Sequence, residues 1–158
     1  MRHSLEVGFS FGLTSGVITT LGLMVGLHSG THSKLAVVGG ILTIAIADAF
    51  SDGLGIHISE ETEGKHKAGE IWESTFATFA AKFLVALTFV VPVLALQLDK
   101  AMIASIIYGI SLLAILSYFL AKKAGDNPWE VIGEHLLITI IVIFTTHYAG
   151  EWIASLFG

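Results

Sequence analysis

Five long apolar runs, separated by short polar stretches, organise this chain. They cover residues 8–27, 35–58, 76–96, 101–121 and 129–157. A helix needs about 20 apolar residues to cross a bilayer core of about 30 Å, and each run reaches that length. The intervening stretches are polar: His28–Lys34, an acidic segment at 59–73 with five glutamates, Gln97–Lys100, and Lys122–Pro128, where Gly125 and Pro128 mark a helix stop and restart. The pattern predicts an all-α polytopic membrane protein, one domain over 1–158 with five transmembrane helices. The first run is too long for a signal peptide, lacks a clear small-residue cleavage site and is followed by four more, so it is expected to be a retained span.

Composition narrows the function classes. Charged residues are 13% of the 158, about half the share of an ordinary soluble domain. The net charge of −5 excludes a basic nucleic-acid binder. With no cysteine there is neither a disulfide framework nor a thiolate metal site. No nucleophile elbow, phosphate loop or HExxH motif occurs, so no enzyme is expected. Lysine and arginine set the orientation. Arg2, Lys65, Lys67, Lys122 and Lys123 fall on one side, Lys34 and Lys100 on the other. This predicts a cytoplasmic N-terminus, a cytoplasmic acidic segment and a multi-pass protein of the cell membrane.

Ionisable groups inside a bilayer are costly and point to function. Asp48 and Asp52 stand four residues apart on the second helix, hence on one face. Gly55, Ser59 and Glu63 continue that stripe to the cytoplasmic end. Two neighbouring carboxylates can hold a divalent cation or share a proton; the structural alternative is a bond to a neighbouring helix or to Lys82. Lys82 itself either snorkels to the surface or neutralises Asp52. On the first helix, Gly8, Gly12, Ser15, Thr19 and Gly26 form a stripe that serves close packing, hydroxyl ligation, or both. Glu60, Glu61, Glu63, His66, Glu70 and Glu73 make an acidic patch of hard oxygen donors plus an imidazole, suited to loosely held divalent metal or simply to a solvated face. His57 falls roughly opposite the two aspartates. Glu134 in the fifth helix, beside His135, is an outside candidate for proton transfer, with a helix-to-helix hydrogen bond as the alternative.

Two stretches carry a family resemblance. Gly12-Leu-Thr-Ser-Gly-Val-Ile-Thr-Thr-Leu-Gly-Leu23 and Ala47-Asp-Ala-Phe-Ser-Asp-Gly-Leu-Gly-Ile-His-Ile-Ser59 resemble the first- and second-helix signatures of the vacuolar iron transporter family. Pro92, Ile132-Gly133 and Tyr148-Ala-Gly150 are similar to its later pattern. The resemblance implies a homodimer of five-helix subunits that moves Fe²⁺ or Mn²⁺ out of the cytosol in exchange for protons. Metal would pass between subunits along the first and second helices, and the acidic segment would gather it. On that reading Asp48 and Asp52 bind the ion, Ser15 and Thr19 face them, and Glu60, Glu63, Glu70 and Glu73 collect it. This chain departs from the family at two of these positions. Ser15 stands where the family usually has Asp, and Asp52 where it usually has Met. Ile56-His57 also replaces a position often held by an acid. Exchanging a thioether for a carboxylate hardens the site, which brings Ca²⁺ and Mg²⁺ in as further candidates beside Mn²⁺. At fifteen residues, the acidic segment is too short for a full metal-binding helical domain. The competing expectation is a membrane metal sensor or scaffold that binds without transport.

Overall fold

The structure is a computed structural model and describes residues 3–157. Arg2, which counts toward the predicted orientation, lies outside them. The described residues form six helices and no strand: α1 (His3–Thr31), α2 (Lys34–Glu63), α3 (Ala68–Thr88), α4 (Val90–Ala95), α5 (Leu98–Ala124) and α6 (Pro128–Phe157). α3 and α4 are two parts of one span, so five units are long and apolar enough to cross a membrane. The protein is all-α and membrane-embedded.

The helices overrun the apolar runs, and the acidic segment shows this most. α2 continues to Glu63 and α3 begins at Ala68, so only residues 64–67 separate them. Gly64 ends α2 in the left-handed region (φ 65°) with its N–H donated to Glu61 O, the usual glycine stop. Glu70 Oε2 accepts the Lys67 N–H at 2.9 Å and caps the start of α3. The glutamates therefore stand on helix ends and not in a long loop.

The third apolar run is broken at Phe89. Pro92 explains the break: it has no N–H to donate, and its ring clashes with the carbonyl four residues earlier, that of Thr88. Lys34 Nζ donates to Leu94 O (3.2 Å) and Leu96 O (3.0 Å), satisfying carbonyls at the end of α4. The same end of the bundle carries the His28–Asp99 pair at 2.9 Å. At the opposite end Lys123 pairs with Glu6. The Lys34 bonds join the second and third spans, and the two ion pairs join the first and fourth, each pair of spans antiparallel.

α1 is the hub. It packs against α2, α3, α5 and α6 and has eleven buried residues, whereas α6 has only Thr139 and Gly150. Small residues let the backbones meet. A Cβ on Gly12 would stand 2.5 Å from the Thr78 carbonyl oxygen of α3, and one on Gly150 of α6 would stand 2.4 Å from the Gly26 oxygen of α1. α1 thus docks on α3 through its first half and on α6 through its second. The two halves of the bundle also differ in filling. Around the second half of α1, Leu21, Met24, Val37, Ile41, Phe89, Val93 and Met102 form an apolar core. Around the first half, the buried residues of α3 include the polar Ser74, Thr78 and Lys82 beside Ile71 and Ala81. The charged cluster lies at this boundary.

Candidate functional site

Three spans meet at a charged cluster near their midpoints: Ser15 of α1, Asp48 and Asp52 of α2, and Lys82 of α3. Lys82 Nζ donates to Ser15 Oγ at 2.9 Å and to Asp52 Oδ2, and approaches Asp48 Oδ2 to 2.6 Å. The Asp48 contact is an ion pair without the alignment of a hydrogen bond. Ser15 Oγ donates to Asp52 Oδ2 at 2.8 Å. One ammonium therefore sits between two carboxylates, with a hydroxyl joining it to one of them. The cluster carries two negative charges and one positive.

Its geometry is one-sided. The Lys82 side chain is 2% exposed, while those of Asp48 and Asp52 are 25% and 21% exposed. The cation is held inside the bundle and the anions open outward. Helical spacing makes this so. Val37, Ile41, Ala45, Ala49 and Gly53 form the buried stripe of α2, and Asp48 and Asp52 each precede a member of it by one residue. They stand at its edge, on the side facing α1. Lys82 does not snorkel: its side chain is 2% exposed, and its Nζ is turned into the bundle onto Asp48, Asp52 and Ser15.

The other expected site residues are distributed differently. Thr19 Oγ1 donates to the Ser15 carbonyl at 3.0 Å, a bond within its own helix. Gly8 and Gly12 pack on α3, and Gly26 lies against Thr146 of α6. Ser59 and Glu63 are exposed, and Glu63 lies 3.6 Å from Lys65. Glu60 lies 3.3 Å from His66 Nε2, and the His66 ring stacks on that of His3 at 6.5 Å. Glu70 caps α3, and Glu73 is half-buried one turn further along. Among the described residues of one chain, no group of three or more His, Asp or Glu is arranged to hold a metal ion.

His57 bonds Thr75 Oγ1 at 3.0 Å and meets Trp72 edge-on at 4.7 Å. Thr75 gives its own proton to Ile71 O, so His57 Nδ1 is the donor in that pair. The two line a groove of about 610 Å³ whose other walls include Phe50, Leu54, Phe76 and Phe79. Neither aspartate lines it, and its walls are apolar apart from His57 and Thr75. His135 makes the same kind of bond to Ser117 of α5 at 2.7 Å, while Glu134 is exposed. The inter-helix pairs His28–Asp99 and Ser29–His147 (2.5 Å) escape sequence reasoning. Their partners are 71 and 118 residues apart, and only a shared bundle end signals them. The chain matches no protein-family model and no curated protein.

Proposed function

We propose that this protein is a divalent-cation transporter, with Fe²⁺ or Mn²⁺ as cargo moved out of the cytosol in exchange for protons, working as a homodimer. The carrying observation is the pair Asp48 and Asp52, mid-span on one edge of α2 and open outward. A charged side chain at mid-membrane costs roughly 2.5–3.5 kcal/mol on insertion scales, and two facing outward have to meet protein, water or an ion. Among the described residues one chain lacks a complete ligand set, whereas two copies facing across α2 would supply four carboxylates. The outward face of α2 suits such a contact. Gly39, Thr43, Ala47, Ser51, Gly55 and Ser59 recur every four residues and are all exposed, and Cβ atoms on Gly39 or Gly55 would meet nothing within 4 Å. Small-residue faces let membrane helices approach closely. With the N-terminus in the cytoplasm, Glu60, Glu63, Glu70 and Glu73 would collect the ion before it reaches the aspartates.

The test is flux. Purified protein in liposomes should admit Mn²⁺ or Fe²⁺ and alkalinise the lumen in step, as protons leave in exchange. Asp48→Asn with Asp52→Asn should abolish this. Flux of no divalent ion, or flux indifferent to the double variant, removes the reading. The tight Lys82 contacts support a second reading, a metal-binding or purely structural membrane scaffold. Metal binding by calorimetry without flux selects the first form, and instability of the double variant without any binding selects the second.

A further inference from the structure

We infer that Lys82 is a built-in competitor cation that sets which ions the aspartate pair accepts; this rests on the transport reading above. The Lys82 ammonium already stands where a bound cation would, in contact with Asp48 and Asp52 and donating to Ser15. Its stem is confined by neighbours. A Cβ on Gly16 of α1 would approach the Lys82 Cγ to 3.2 Å, and the side chain is 2% exposed. A charged group held in place within the molecule acts at an effective concentration far above that of a free ion. Na⁺ and K⁺ carry the same charge as the ammonium, have no tether, and so cannot displace it. A divalent ion gains twice the attraction to each carboxylate at equal distance and can. When it leaves, the ammonium returns, so two bare carboxylates are never left facing each other in a low-dielectric site. Lys82 thus lowers affinity for every cation but lowers it most for monovalent ones. Ser15 belongs to this device. Its hydroxyl accepts from Lys82 and donates to Asp52, so it holds the ammonium in line with the carboxylate it neutralises.

The experiment is Mn²⁺ binding to the full-length purified protein, by electron paramagnetic resonance or calorimetry, with and without physiological KCl. Wild type should bind weakly and with little response to K⁺. Lys82→Met should bind at least tenfold more tightly without K⁺, and K⁺ should erode that gain. Lys82→Arg keeps the charge and gives a foldable control should the methionine variant fail; it should bind no more tightly than wild type. Equal affinity in wild type and Lys82→Met, a K⁺-insensitive gain, or tighter binding by Lys82→Arg overturns the inference. Mn²⁺ binding that is lost in Asp48→Asn/Asp52→Asn but unchanged in Lys82→Met overturns it while leaving the transport reading intact. Absence of Mn²⁺ binding in wild type and every variant overturns both.

Discussion

α2 and α6 are each thirty residues long and each packs on α1, yet they turn opposite surfaces outward. The exposed side of α6 is dominated by Leu137, Ile138, Ile140, Ile141 and Phe144. Those side chains match hydrocarbon, and the helix needs nothing further to cover it. The exposed side of α2 has a bulky ridge, Leu42, Ile46, Phe50, Leu54 and Ile58. Beside that ridge run the small residues Thr43, Ala47, Ser51 and Gly55, and beside those the edge bearing Asp48 and Asp52. A lipid tail gains little from small residues and nothing from carboxylates. Burial alone does not separate the two helices, since both are peripheral. What separates them is which chemistry is left unburied, and that difference supports a partner or an ion for α2 and lipid for α6.

The largest effect that can test this contrast comes from the charge balance behind α2. Lys82→Ala leaves Asp48 and Asp52 without their cation. Breaking a buried pair by removing one partner costs about 3–5 kcal/mol, so thermal unfolding in detergent should shift well below wild type. Adding Asp48→Asn and Asp52→Asn should restore most of the loss, because the uncompensated charges go with it. If Lys82→Ala unfolds where wild type does, the cluster does not stabilise the α1–α2–α3 junction.

Next come the glycines. Gly12→Ala drives a methyl to within 2.5 Å of the Thr78 carbonyl oxygen, a backbone atom that cannot swing aside. Overpacking of this kind costs about 1–3 kcal/mol. Gly55→Ala on α2 meets nothing within 4 Å in one chain, so in the monomer it should be neutral or gain up to about 1 kcal/mol from helix propensity. Unfolding of the two variants at one protein concentration checks this. The outward face of α2 itself is probed by Ser51→Leu. It should weaken self-association in liposomes at least tenfold, about 1.4 kcal/mol, as read by energy transfer on lipid dilution. Thr145→Leu, at a position also exposed but on α6, should leave association unchanged. Equal effects of the two leucines would erase the distinction drawn between the helices.

Much of the fold was legible because membrane helices are long and uniformly apolar, and five such runs stand out in this chain. The ends were not legible to the residue. Helix geometry continues through polar residues such as Ser59–Glu63 and Ala68–Glu73, where hydropathy has already dropped. The break at Phe89 had a signal in Pro92, since the constraint acts on the carbonyl four residues upstream. At the site, the shared face of Asp48 and Asp52 follows from spacing alone. The partnership of Lys82 with both acids and with Ser15 depends on how α1, α2 and α3 rotate against one another, which no single helix encodes. Thr19 shows the limit of stripe reasoning: a threonine on an apparently shared face spends its proton on its own helix backbone, as hydroxyls in helices commonly do.

The smallest expected effect separates two carboxylates that look alike in sequence, Asp52 and Glu134. Each lies within a long apolar helix. Glu134, however, is only six residues past Pro128, about 9 Å of helix, and it is exposed, so its long side chain can reach the headgroup region. Asp52 has a short side chain at mid-span and is held by Lys82 and Ser15. Glu134→Gln should therefore change stability by no more than about 0.5 kcal/mol, the range of an ordinary surface substitution, and should leave cation flux at the wild-type rate. Asp52→Asn should reduce that flux severely. A flux defect in Glu134→Gln comparable to that of Asp52→Asn would move the proton or ion route onto α6, and with it the functional face of the molecule.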